Sequence, residues 1–66
     1  MEFKANGEAV RRLRFEKKVS NGDIATAIGV SDGAVSRLIT EDKALSFDKM
    51  AKLADYFGVS LDELRK

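Results

Sequence analysis

Cysteine, histidine and proline are all missing from this chain of 66 residues. Without cysteine or histidine there is neither a disulfide nor an ordinary zinc site, the two staples on which small domains most often depend. A chain of this length buries only about 60% of the surface exposed by its unfolded form, so close packing has to hold it. The same absences argue against catalysis, because histidine is the commonest general base and cysteine a common nucleophile. Serines are present, but no imidazole can activate them, and no Gly-x-x-x-x-Gly-Lys loop occurs. The carboxylates are spread among basic residues in the manner of solvated helix faces. No enzyme activity, cofactor or metal is expected. Lack of cysteine fits a reducing compartment, no apolar run approaches the roughly 18 residues of a membrane span, and no signal peptide opens the chain. The expectation is a small soluble cytoplasmic domain with no membrane partner.

What is present is globular in character: 44% hydrophobic and 35% charged residues. With no proline, helix ends must be marked by caps and glycines. Ile28-Gly29-Val30-Ser31 and Phe57-Gly58-Val59-Ser60 repeat one device. An apolar residue closes a helix, glycine takes the left-handed position just beyond it, valine turns inward, and serine caps the next helix. Ser60 with Glu63 predicts a capping box, and Ser20 with Asp23 a looser one. Ser46 opens a further helix, with Asp48 placed against the positive end of its dipole.

Five helices follow. The first spans about Gly7 to Lys17 with Val10 and Leu13 inward, and the second Asn21 to Ile28, burying Ile24, Ala25 and Ile28. The third runs from Asp32 to about Ile39 and buries Val35 and Leu38. The fourth covers Phe47 to Phe57, with Met50, Leu53, Ala54 and Phe57 at i, i+3, i+4, i+7 spacing. The fifth is short, from Leu61 to Arg65, with Leu61 and Leu64 inward. No stretch alternates as a strand would, so the predicted fold is a compact all-α bundle. Residues 1–6 read as a mobile N-terminal arm from which Phe3 can pack back, and residues 7–66 as one domain. Residues 1–18 carry six basic and three acidic groups, whereas the whole chain has a net charge of +1.

Residues 21–40, NGDIATAIGVSDGAVSRLIT, are the most informative. Counted from Asn21, apolar residues fall at positions 4, 8, 10, 15 and 18 (Ile24, Ile28, Val30, Val35, Leu38), with the small Ala25 at position 5 and Gly29 at position 9. Two helices crossing steeply through a short turn need this set. The small residue permits close crossing, the glycine supplies the positive φ, and the apolar positions fasten the pair to the other helices. The pattern is that of a helix-turn-helix.

Across roughly residues 7–64 the chain resembles the Cro/CI (XRE-type) helix-turn-helix repressors of phages and bacteria. The stretches that carry the resemblance are GEAVRRLRFEKKVSNGDIATAIGVS and SFDKMAKLADYFGVSLDEL. What this resemblance implies is a five-helix, lambda-repressor-like DNA-binding domain whose third helix enters the major groove, usually as a two-fold dimer. By the same resemblance, bases are read from the start of helix 3 and from a position a turn and a half later. Those positions are Asp32, Gly33 and Arg37, with Ala34 and Ser36 beside them. A guanidinium at Arg37 can bridge guanine O6 and N7; a phosphate contact or a solvated side chain are the alternatives. Asp32 could accept from cytosine N4, but a carboxylate beside phosphates is costly, and stabilising a helix N-terminus suits it better. Gly33 costs about 1 kcal/mol of helix propensity relative to alanine and allows close approach to DNA, while Ala34 could touch a thymine methyl or simply fill the helix.

Asn21 stands where the family usually has a glutamine that reaches a phosphate, and Ser31, Thr40 and Lys43 flank helix 3 as further phosphate candidates. Ser31 is first of all a cap. Arg11, Arg12, Arg14, Lys17 and Lys18 form either a diffuse positive field or a wet helix face. The family's arginine late in helix 1 is present as Arg14, but Ile39 occupies the place of its usual glutamate partner, so Glu41 is the expected partner instead. The loop 40–45 lacks the usual glycine and proline, and its acids Glu41 and Asp42 are expected to weaken phosphate attraction. The reading is a sequence-specific regulator of transcription, a repressor, bound to double-stranded DNA at an approximate inverted repeat, with a weak homodimer completed on DNA. A protein-interaction module on the same fold, an antitoxin or accessory subunit, is the alternative favoured by the near-neutral charge and by Asp32, Glu41 and Asp42.

Overall fold

The computed structural model describes residues 2–66, and of Glu2 the backbone alone. In chain order the elements are β1 (Glu2–Lys4), α1 (Gly7–Lys17), α2 (Asn21–Ile28), α3 (Asp32–Glu41), β2 (Ala44–Ser46), α4 (Phe47–Phe57) and α5 (Leu61–Leu64). Each of the first four helices opens on a side chain that accepts a backbone N–H: Asn6 from Ala9, Ser20 from Asp23, Ser31 from Ala34 and Ser46 from Lys49. At α2 the Asp23 carboxylate returns the bond to the Ser20 amide at 3.0 Å, so the box is complete. At α5 no box forms. That helix is a single turn of four residues, and the Glu63 N–H goes to the Ser60 carbonyl instead of its hydroxyl. Gly29 and Gly58 both adopt positive φ, 75° and 68°, at the predicted helix ends.

The apolar periodicity becomes the core. Val10, Leu13, Ile24, Ala25, Ile28, Val35, Leu38, Met50, Leu53, Ala54, Phe57 and Leu64 form one buried cluster, with Val30, Val59 and Leu61 packed against it. Helix α3 packs on both α1 and α2, and α4 packs on α2. One face of α3 is therefore fixed by the core and the other left outward.

The architecture departs from all-α in one respect. Residues 2–4 and 44–46 pair antiparallel, Glu2 with Ser46, Phe3 with Leu45 and Lys4 with Ala44. The segment read as an arm is thus drawn into the fold. Its Ala5 is fully buried, with its amide on the Lys43 carbonyl at 3.1 Å, and Asn6 and Lys4 bond the C-terminal residues Leu64 and Lys66. Phe3 lies 5.8 Å from Phe47, ring centre to ring centre, and beneath the Arg65 guanidinium at 5.7 Å. Strands of three residues are too short to show an alternating pattern.

Where the ribbon meets α3, two further contacts fix the end of that helix. α3 continues two residues past Ile39, to Glu41, and Asp42 caps it in the left-handed conformation, φ 50°. The Asp42 carboxylate accepts from the Gly7 amide at 2.8 Å and from the Lys66 ammonium at 2.6 Å. The Lys66 bond first, then the Gly7 amide, holds the Asp42 carboxyl below the usual carboxylate range, and Asp42 in turn raises the Lys66 ammonium above the ordinary lysine value. Gly7 itself sits against the end of α3: a Cβ there would stand 2.1 Å from the Ile39 carbonyl oxygen.

Candidate nucleic-acid interface

With Val35 and Leu38 buried, the opposite side of α3 presents Asp32, Gly33, Ser36, Arg37, Thr40 and Glu41 to solvent. Two hollows flank it. The first is lined by Ser31, Gly33, Ala34, Arg37 and Lys43. It unites three of the expected base-reading positions with two of the phosphate candidates. The second is lined by Arg11, Arg14, Asn21, Ser36, Ile39 and Thr40, and lies between α3, α1 and the start of α2. Eight of the nine expected positions therefore line one or other side of a single exposed helix, and only Asp32 lies outside both.

The ninth sits differently. Asp32 leans toward the first turn of α2, where a Cβ on Gly22 would be 3.6 Å from either carboxylate oxygen. That places a negative charge at the positive end of a neighbouring helix dipole, a favourable position for an acid. It also puts the charge where a phosphate would approach the α2 amides.

Hydrogen bonding sorts the remaining polar groups. The Ser31 oxygen accepts from the Ala34 amide at 3.2 Å, which leaves its hydroxyl proton available to an anion. Thr40 differs: its hydroxyl donates to the Ser36 carbonyl at 2.9 Å, so its proton is already committed within the helix. Lys43 is exposed at the rim.

The second hollow sets Arg14 beside Asn21, the expected phosphate candidate at the start of α2. The Arg14 Nε and the Asn21 Oδ1 are both buried without a hydrogen-bond partner among the described residues. Arg14 does not pair with Glu41, which stays exposed, so the expected ion pair is absent. A buried donor without an acceptor costs roughly 1–3 kcal/mol, and an anion entering the hollow would relieve it. The i, i+3 spacing of Arg11 and Arg14 was the available signal; only the packing of α1 on α3 shows which way that stripe faces. Asp42 changes role as well. Instead of an acid facing the phosphates, it is the half-buried acceptor that ties α1 and the C-terminus to the end of α3.

The helix-turn-helix family model matches residues 10–64. The chain belongs to that family. Its fold is also that of the restriction-modification controller protein C.AhdI from Aeromonas hydrophila, with a TM-score of 0.76 at 24% identity over 86% of each chain. No curated protein sequence matches significantly. Family membership makes this helix-turn-helix protein a DNA-binding regulator of transcription. The family match begins at residue 10, so β1 and the Gly7 contact lie outside the matched segment. Among the described residues no helix is long and apolar enough to cross a membrane.

Proposed function

We propose that the helix-turn-helix protein is a sequence-specific repressor of the cytoplasm that lays α3 in the major groove of an operator built as an approximate inverted repeat. One observation carries the reading: α3 is fixed by its apolar face, while its polar face is framed by two hollows that both hold arginine. On this reading Arg37 reads a base, a guanine by its bidentate geometry. Gly33, Ala34 and Ser36 lie against neighbouring base edges. Ser31 and Lys43 grip the phosphates on one side of the groove, and Asn21, Arg11 and Arg14 those on the other. Thr40 contributes only if its hydroxyl turns away from Ser36. Asp32 supports the α2 end and opposes the backbone rather than reading cytosine.

The domain is about 28 Å in its longest dimension, whereas half-sites on one face of B-DNA are spaced about 34 Å apart. One copy covers one half-site, and two copies related by a dyad cover the repeat. Repression then follows from occupancy of the operator. The protein-interaction alternative loses part of its support, because Asp42 is engaged within the fold and is not offered to a partner.

The salt dependence of operator binding tests this. Arg11, Arg14 and Lys43 give three cationic phosphate contacts per copy. Two copies should yield a slope of log K against log salt of about −5, and one copy about −2.7. A slope near zero would refute the assignment of these residues to phosphates.

A further inference from the structure

The outer face of α1 carries a feature that DNA binding does not use. Phe15 is 84% exposed, the most exposed large apolar side chain described. Phe47 and Tyr56, the other two exposed aromatics, each lean on a neighbouring ring, Phe3 and Phe57; Phe15 has no such partner among the described residues. It stands instead between two hollows, one lined by Glu8, Arg11, Arg12, Arg14 and Glu16, the other by Arg14, Lys18 and Val19. Arg12 has a long ion pair with Glu16 at 4.0 Å, whereas Arg11, Lys17 and Lys18 form none among the described residues. An apolar ring within an excess of positive charge is the result, on the side of α1 opposite the buried Val10 and Leu13.

We propose that this surface docks an acidic segment of a second protein, with a leucine or phenylalanine side chain set against Phe15 and carboxylates over Arg12 and Lys18. Phosphates alone would be matched by the cations and would leave the ring in water, so the ring argues for a partner with both apolar and acidic groups. Burial of the ring supplies the affinity, and the rim charges select the sign of the partner and speed its approach. Because the docking face is on α1, α3 stays uncovered, and a copy seated on DNA can still receive the partner.

The test uses a synthetic acidic peptide bearing two leucines and a phenylalanine, titrated into the isotope-labelled protein and followed by NMR. Shifts should concentrate on residues 11–19, and Phe15→Ser should weaken binding about tenfold or more. Arg12→Glu should weaken it about threefold at low salt. Phe15→Ser should leave the melting temperature and the affinity for duplex DNA unchanged, since neither the core nor the α3 hollow loses a group. Several results would overturn the proposal: shifts elsewhere on the protein, or equal binding by the Phe15→Ser protein. So would equal binding of a peptide whose apolar residues are replaced by serine. A matching loss of duplex binding in Phe15→Ser would give the ring to the DNA face. Self-association abolished by Phe15→Ser would give it to a second copy.

Discussion

Replacing Gly7 with alanine should cost this protein a large part of its stability, although alanine is the better helix former. Built on the backbone, the new Cβ would stand 2.1 Å from the Ile39 carbonyl oxygen, 2.7 Å from its carbon and 2.8 Å from the Leu38 oxygen. These are backbone atoms of α3, so no side-chain rotation gives relief, and α1 and α3 must separate. Overpacking of this kind costs about 3 kcal/mol at the upper end of its range, and the gain in helix propensity returns up to about 1 kcal/mol. The net loss is about 2 kcal/mol from a domain stable by about 3–10 kcal/mol. With an unfolding entropy of about 2.1 cal/mol/K per residue, Tm should fall by about 15 °C. Gly33 provides the control, since a Cβ there meets nothing nearer than the Ser31 hydroxyl at 3.9 Å. Gly33→Ala should therefore raise Tm by several degrees while weakening DNA binding. Thermal melts followed by circular dichroism decide the matter. If Gly7→Ala melts within about 3 °C of the parent, the close approach of α1 to α3 is wrong.

Two other substitutions probe the acids. The folded-state pKa of Asp42 is lowered, so its contribution is present above the ordinary carboxylate pKa of about 3.9 and is lost as pH falls through the folded value. Asp42→Asn should lower Tm by a few degrees at neutral pH, with the gap to the parent closing as both are taken toward pH 3; a gap constant with pH would show that the charge contributes nothing. Lys66 has the opposite sign: its raised pKa makes the pair fail again as pH climbs above the ordinary lysine value. Asp32→Asn should strengthen operator binding by about threefold to tenfold at low salt, with the difference shrinking as salt is raised. Weaker binding of that variant would mean that the carboxylate reads a base.

The helices were legible because their signals are local. Ser20, Ser31 and Ser46 stand immediately before apolar periods, and Gly29 and Gly58 immediately after two of them, so α2 and α4 begin and end, and α3 begins, where those residues dictate. α3 ran two residues further than expected because its end is fixed by Asp42, whose partners Gly7 and Lys66 are 35 and 24 residues distant. The ribbon escaped notice for a similar reason: Phe3 and Leu45 are 42 positions apart, and neither strand is long enough to alternate. At the interface, Arg37 and its neighbours followed from their place on one helix. The hollow joining Arg14 to Asn21 depends on how α1 lies against α3, a tertiary fact set in part by a glycine that reads, in one dimension, as an ordinary helix start.

Whether the outward face of α3 reads base sequence is decided by selection from a random duplex library at about 0.1 M salt, where backbone contacts are only partly screened. Parent and Arg37→Ala proteins would be run side by side and the retained duplexes sequenced. The parent should enrich an inverted repeat with half-site centres about 10 bp apart, and Arg37→Ala should lose discrimination at a guanine in each half-site while keeping the rest. No enriched sequence from the parent, or the same sequence from both proteins, would mean that Arg37 on α3 does not read the operator.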